Sequence, residues 1–172
     1  MHTSDLCVAL AATGASVELT GPDRGRVVSV TEFYREPGDT PHVENVVRGK
    51  EVITAVEVPA LPEGARSTYR KVRDRASYTF ALVSVAAALI VEDGRLRDAR
   101  LASGRIATIP WRARAERILT GAPPTSDTFR EAIAAELEPP IRTSDTRFKI
   151  GLNVRTGRRR RLVRPGAGAI QR

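Results

Sequence analysis

The chain has 172 residues, enough for one ordinary domain or two small ones. Hydrophobic residues make up 41% of it and charged residues 28%, which is typical of a soluble globular protein and excludes a wholly disordered or collagen-like chain. The single cysteine excludes an internal disulfide and a cysteine-rich zinc or iron–sulfur site, and two histidines leave little for a histidine-based metal centre. Residues 1–5 predict no secretory signal, and no apolar run approaches the roughly 18–20 residues that cross a bilayer.

The net charge of +8 is unevenly distributed along the chain. Residues 151–172 hold seven of the 28 basic residues and no acid, so the first 150 residues carry 21 basic and 20 acidic side chains. An arginine run such as 158–161 can bind phosphates without sequence specificity, which makes nucleic acid a candidate partner. A solvated or disordered chain end is the commoner meaning of such a run, and the near-neutral body favours it.

The first 60 residues are predicted to form one helix and three short strands. Ser4 or Asp5 can cap the helix, and Gly14 ends it. Alternation of apolar and polar residues predicts strands at 15–20, 27–30 and 52–58. Between the last two strands, turn-forming residues predict a long loop at 35–50.

A different pattern follows a predicted domain boundary at 60–64. A strand is predicted at 67–73, and Asp93-Gly94 between two apolar runs predicts a hairpin of strands 82–91 and 96–106. Helices are then predicted from Pro110 to Leu119, from Ser126 or Asp127 to Leu137, and from Arg147 onward.

This order of elements predicts an α+β fold. An incomplete α/β remnant is expected at 1–60, and three antiparallel strands with about three helices at 61–152. The basic segment 153–172 is expected to be a disordered tail.

The densest group of polar side chains lies at 69–78, where four cations, two phenols and a hydroxyl occur within ten residues. On a strand, Tyr69, Lys71 and Arg73 share one face, so that cations lie beside an aromatic ring. Such a face suits an electron-rich ring system or an anionic ligand. The alternative is a solvated strand face whose charges are screened by Asp74.

The segment Ser67 to Leu89, STYRKVRDRASYTFALVSVAAAL, resembles the start of the C-terminal domain of the FAD-binding subunit of molybdenum hydroxylases. These are enzymes of the xanthine dehydrogenase, carbon monoxide dehydrogenase and aldehyde oxidoreductase type. Shorter stretches resemble other segments of that family in the same order, at 2–6, 37–41, 51–59, 109–115 and 148–152. Several motifs in order over residues 2–152 are fairly specific, and the run from Tyr69 to Arg75 is the strongest.

The resemblance implies an FAD-binding electron-transfer subunit of an oxidoreductase. In such enzymes electrons pass from a molybdenum site through [2Fe–2S] clusters to the flavin, which reduces NAD or another acceptor. The partners implied are an iron–sulfur subunit and a molybdopterin-binding subunit, which would hold those centres. A cytoplasmic location is expected, or a periplasmic one if the complex is exported with a partner, and no membrane association is predicted.

Four residues match positions that bind FAD in the family. The resemblance implies that Asp5 contacts the ribose region of FAD and that Ile53 and Lys71 contact the flavin ring. It also implies that Tyr78 lies in a loop that covers the ring. A cation at Lys71 would favour the negative charge that a reduced flavin carries near N1 and O2. Plainer interpretations stand beside these: Asp5 as a helix N-cap, Ile53 as a core residue in any case, and Tyr78 as half-buried packing.

The sequence also departs from the family pattern. The resemblance covers only the second part of the family's subunit, so the chain is interpreted as N-terminally truncated or as a split subunit. FAD binding by this chain alone is expected to be weak or absent, because the glycine-rich loops that cradle the pyrophosphate lie upstream in the family. Ser103-Gly104-Arg105 stands where the family prefers a leucine and two glycines, and 153–157 breaks the periodicity of the last helix.

Two other functions are left open by the sequence. The missing phosphate-binding loops favour a flavin-free module for assembly or docking. The arginine-rich tail favours nucleic-acid binding, although the near-neutral body argues against it.

Overall fold

A computed structural model describes residues 3–106, 108–112, 114–136 and 147–157. In chain order, the elements in these ranges are α1 (Asp5–Thr13), β1 (Ser16–Thr20), β2 (Gly25–Ser29), α2 (Val30–Phe33), β3 (Val52–Glu57), β4 (Arg66–Val72), β5 (Val83–Glu92), β6 (Arg95–Gly104), β7 (Trp111–Arg112), α3 (Arg114–Leu119), α4 (Ser126–Glu136) and α5 (Arg147–Gly157). No helix in the described ranges has the length and apolar character needed to span a membrane.

Helix α1 begins and ends where the sequence predicts. Ser4 is the N-cap, and its hydroxyl accepts a hydrogen bond from the backbone N–H of Cys7 at 3.3 Å. Gly14 ends the helix at a φ of 75°, a left-handed conformation that glycine adopts without steric cost. Asp5 lies in the first turn and is not the cap, so the N-cap interpretation of this residue is wrong and its carboxylate is available for another contact.

The first sheet has three antiparallel strands in the order β2-β1-β3. The central strand buries Val17 and Leu19 in a core that also holds residues of α1 and of the short helix α2. Strand β3 lies at the edge, and all six of its residues are exposed. The first sheet is therefore open at β3.

The second sheet is antiparallel in the order β4-β5-β6-β7. Residues 83–90 of β5 are buried without interruption. On one face of the β5–β6 hairpin, apolar side chains pack with α3 and α4, and on the other face Ala86 and Ala102 pack with α1. Because both faces of the strand are covered, its sequence is continuously apolar and does not alternate.

Helix α1 packs closely on the second sheet because β6 ends in glycine. A Cβ atom on Gly104 would lie 2.5 Å from Oγ of Ser84 and closer still to Cγ2 of Val8 on α1. The bare backbone at this position lets the helix approach β5 and β6. One core cluster therefore contains residues of α1, the first sheet and the second sheet.

The predicted α+β fold is confirmed, with differences at three places. The predicted strands are present. Trp111 starts the two-residue strand β7 and not a helix, because the backbone groups of this segment pair with those of the β6 edge. The prediction of a disordered tail from residue 153 is wrong for its first five residues, since α5 continues to Gly157. Helix α2, capped by Ser29, was not predicted. Residues 158–172 lie outside the described ranges.

Candidate functional site

The side chains of Asp5 and Lys71 form an ion pair. Nζ of Lys71, near the end of β4, donates to Oδ2 of Asp5, in the first turn of α1, at 2.7 Å. The packing of α1 on β5 and β6 brings the start of the helix to this end of the second sheet. The two side chains are 23% and 32% exposed, so the pair is partly shielded but accessible. Two of the four predicted site residues are thus brought together.

Two buried oxygen atoms at this site have unused hydrogen-bonding capacity. Ser84 lies directly opposite Lys71 on β5 and is fully buried. Within the described part of the chain, neither its Oγ nor Oδ1 of Asp5 has a hydrogen-bond partner. A buried polar group without a partner costs about 1–3 kcal/mol, and the phenol of Tyr69 lies close enough to both residues for each of them to shift its pKa.

Tyr69 adds a protonated phenol to the same region. It lies on β4 two residues before Lys71, on the same face, and is 38% exposed. Burial raises the pKa of Tyr69 to about 12; the nearby Ser84 hydroxyl lowers it and the Asp5 carboxylate raises it. The phenol therefore keeps its proton at neutral pH. The alternative in which Asp74 screens the charges of this face is wrong for Lys71, whose partner is Asp5.

Tyr78 lies on the connection between β4 and β5. Its side chain is fully exposed, which overturns the interpretation as half-buried packing, and its φ of 51° is left-handed. The connection is closed by a hydrogen bond from the backbone N–H of Leu82 to the carbonyl of Val72 at 2.8 Å. Tyr78 is thus carried by a short, closed loop beside the end of β4 that bears Lys71.

Ile53 lies in the first sheet, on the edge strand β3. The prediction that it is a core residue is wrong, because its side chain is 53% exposed. It pairs with the buried Leu19 across the two strands, so both point to the same face. In the described residues, no hydrogen bond or ion pair joins Ile53 or Tyr78 to the Asp5–Lys71 pair.

Ser84 and Arg105 belong to this region but were not predicted as site residues. A lone serine inside the apolar run of β5 is the signal that points to Ser84. Arg105 follows β6 at a left-handed φ of 67°, and its Nε donates to the carbonyl of Ala81 at 2.9 Å. Burial, and then the charge of Arg105, lower the pKa of Lys149 on α5. Several cations therefore gather at this end of the sheet.

The described residues contain no group of three or more histidine, cysteine, aspartate or glutamate side chains arranged to hold a metal ion. The chemistry available here consists of a cation paired with a carboxylate and a neutral phenol, beside an exposed aromatic loop. This arrangement can bind a polar or anionic ligand that also has a flat ring.

Two family models match consecutive segments of the chain. Residues 1–61 match the FAD binding domain in molybdopterin dehydrogenase, and residues 67–146 match the CO dehydrogenase flavoprotein C-terminal domain. The aldehyde oxidoreductase FAD-binding subunit PaoB of Escherichia coli (strain K12) is 42% identical over 158 residues, 90% of this chain and 46% of that protein. The glyceraldehyde dehydrogenase medium chain of Sulfolobus acidocaldarius is 30% identical over 141 residues, 80% of this chain and 48% of that protein.

A solved structure has the same fold. CO dehydrogenase from Oligotropha carboxidovorans superimposes with a TM-score of 0.77 at 21% identity, covering 89% of this chain and 53% of the other. The matched segments belong to these two domain families, and the chain is homologous to the aldehyde oxidoreductase FAD-binding subunit and to the glyceraldehyde dehydrogenase medium chain. It spans about half the length of the curated relatives it matches. The domain limits predicted at 60 and 152 stay predictions.

Proposed function

We propose that this chain binds the flavin part of FAD at the Asp5–Lys71 pair and is the electron-transfer flavin subunit of a molybdenum hydroxylase. Electrons would pass from iron–sulfur clusters through FAD to NAD or another acceptor. Family membership supports the class of reaction. The observation that supports the site is the partly exposed Asp5–Lys71 ion pair, with the phenol of Tyr69 on the same face of β4 as Lys71.

The residues present fit the flavin and the chain that links it to the phosphates. Lys71 has three ammonium donors and uses one on Asp5, so it can also donate to a ring acceptor. The Asp5 carboxylate, whose side chain is 32% exposed, can accept from a hydroxyl of the ribityl chain or the ribose. When bound, FAD supplies the redox chemistry, while the protein supplies position and charge.

The remaining predicted residues have apolar and covering roles in this proposal. The exposed side chain of Ile53 offers an apolar surface to the ring, and Tyr78 can lie over the ring from its loop. Tyr69 is protonated at neutral pH and can donate a hydrogen bond. The positive charge of Lys71 favours a ligand that gains negative charge.

The partners we propose are an iron–sulfur subunit and a molybdopterin-binding subunit of the same complex, placed in the cytoplasm unless a partner carries the complex out. FAD binding by this chain alone is proposed to be weak or absent. The sites described here serve the flavin end of FAD, and the pyrophosphate needs the part of the family's subunit that the chain does not match.

The alternative of a flavin-free docking module rests on strand β3. Val52, Ile53 and Val56 are each about half exposed or more on an edge strand, and such strands pair readily with another chain. Under this alternative the chain joins a complex through β3 and binds no flavin. Nucleic-acid binding through the arginine run concerns residues outside the described ranges.

A flavin titration tests the proposed function. FAD would be titrated into the full chain, alone and together with a polypeptide that supplies the remaining half of a relative such as PaoB. Fluorescence quenching and the visible flavin spectrum report binding. The mixture of this chain and the added polypeptide is called the completed subunit. Binding in the completed subunit supports the proposal, and binding by the chain alone would show that the Asp5–Lys71 site is sufficient. Absence of binding in both overturns it and favours the docking module.

A further inference from the structure

Arg105 occupies a backbone conformation that favours glycine. Its φ of 67° is left-handed, a region that side chains with a Cβ atom rarely adopt. It directly follows Gly104, the last residue of β6. A residue held in such a conformation needs contacts that keep it there, and strain of this kind is often found near functional sites.

The contacts of Arg105 reach the loop that carries Tyr78. Nε of Arg105 donates to the carbonyl of Ala81 at 2.9 Å, and its guanidinium carbon lies 5.5 Å from the centre of the Phe80 ring. Phe80 and Ala81 follow Tyr78 by two and three residues. The hydrogen bond and the cation–π contact therefore hold the end of the loop that leads into β5.

The strand register places Arg105 beside the Asp5–Lys71 site. Lys71 lies opposite Ser84, and Ser84 lies opposite Gly104, so these three residues form one row across β4, β5 and β6. Arg105 is the next residue after that row. Its charge also acts on the buried Lys149 of α5, so it lies at the junction of the loop, the helix and the row.

We propose that Arg105 is a positioning residue that clamps the loop of residues 73–81 and thereby holds Tyr78 beside the Asp5–Lys71 site. The clamp itself rests only on the contacts of Arg105. Its consequence for flavin rests on the proposed function, since Tyr78 can cover the ring only if the ring is bound there. Loss of the guanidinium frees the loop and weakens the cover over the site.

Limited trypsin digestion of the full chain tests the clamp without any flavin. The loop contains its own target, the bond between Arg75 and Ala76, whose cleavage can be followed by mass spectrometry. The test variant is Arg105→Gly, which suits the left-handed backbone and removes both contacts. The matched control is Lys50→Gly, because Lys50 also has a left-handed φ, of 72°, and an exposed side chain.

We expect Arg105→Gly to speed cleavage after Arg75 about fivefold or more. The loss of a local hydrogen bond raises the fraction of molecules in which the loop is open, and the cleavage rate follows that fraction when the loop opens and closes rapidly. Lys50→Gly should leave the rate unchanged. Arg105→Lys should give an intermediate rate, because an ammonium can donate to Ala81 but lacks the planar group over Phe80. Equal rates in Arg105→Gly and the wild type would overturn the clamp.

The effect on flavin is a separate readout, made with the completed subunit of the FAD titration. Arg105→Gly should weaken FAD binding several-fold and alter the visible flavin spectrum, whereas Lys50→Gly should do neither. If the wild type binds FAD and Arg105→Gly binds it equally with the same spectrum, the positioning role is overturned. If no variant binds FAD, the proposed function fails, and the digestion rates alone decide whether the clamp exists.

Discussion

Asp5 and Lys71 are 66 residues apart in the sequence, and their side chains meet at 2.7 Å where the first turn of α1 lies against the end of β4. One partner belongs to the segment that matches the FAD binding domain and the other to the segment that matches the flavoprotein C-terminal domain. The site therefore exists only when α1 is packed on the second sheet. Changes to that packing should affect the site even when they are distant from Lys71.

Gly104→Ala should destabilise the fold. The added Cβ would lie 2.5 Å from Oγ of Ser84 and closer to Val8, both on well-buried residues, and overpacking of this kind costs about 1–3 kcal/mol. Urea denaturation measures the free energy of unfolding. The matched control is Gly49→Ala, since a Cβ there meets nothing within 4 Å. Equal stability of the two variants would show that α1 does not approach β6 as described.

Lys71→Ala should change stability little. The ion pair is about a quarter to a third exposed, and pairs of this kind contribute only about 0–1 kcal/mol. Thermal melting of the variant should therefore stay close to that of the wild type. A large loss of stability would mean that Lys71 is a structural residue and that any loss of ligand binding in the variant reflects unfolding.

Glu51→Gln should lower stability near neutral pH and have less effect in acid. The guanidinium of Arg26 donates to both oxygens of Glu51 at 2.9 Å, and the backbone N–H of Arg48 donates as well. The side-chain bonds from Arg26 and then the backbone bond lower the pKa of Glu51 from its usual 4.5 to about 2. The stabilisation is present above the unfolded pKa of 4.5 and is lost as pH falls through about 2.

Melting temperatures measured from neutral pH down to about pH 2 test this dependence. The difference between wild type and Glu51→Gln should shrink as the pH falls below 4.5. Glu57→Gln serves as control because Glu57 is exposed on β3. A difference that stays constant over the whole range would contradict the link between this carboxylate and the stability of the fold.

Truncation of Leu19 should lower stability much more than truncation of Ile53, although the two residues are paired across the first sheet. Leu19→Ala removes a fully buried side chain and should cost about 2–5 kcal/mol of unfolding free energy. Ile53→Ala shortens a side chain that is 53% exposed, so its cost in unfolding free energy should be well below that of Leu19→Ala. Denaturant titration compares the two, and a large cost at Ile53 would show that β3 is covered in solution.

Local patterns were sufficient to predict most of the elements. Ser4 and Gly14 bound α1 because capping depends on neighbouring residues alone, and Asp93-Gly94 marks the hairpin for the same reason. The failures have non-local causes. Trp111 pairs with Ser103 across the sheet, a partner that its own segment does not reveal. Helix α5 packs against α4 and β5, and this packing, which the segment's own residues do not reveal, buries Thr156.

The candidate site could be predicted only in part, and chiefly through the family resemblance. The spacing of Tyr69 and Lys71 predicts a shared strand face, but the partner of Lys71 is set by how α1 packs on the sheet. Ile53 has the apolar character of a core residue, yet it lies on an open edge because of the strand order. The sequence marks Arg105 as a departure from a glycine of the family, but only its backbone angle and its contact with Ala81 connect it to the site.

The dissociation constant of FAD for the Lys71→Ala variant tests the central claim most directly. It should be measured in the completed subunit beside the wild type and Lys50→Ala, a control that removes a lysine from an exposed position. A charge-assisted hydrogen bond contributes about 1.5–3 kcal/mol, so Lys71→Ala should weaken FAD binding about tenfold or more while Lys50→Ala leaves it unchanged. If FAD binds and both variants match the wild type, the flavin does not lie at the Asp5–Lys71 pair.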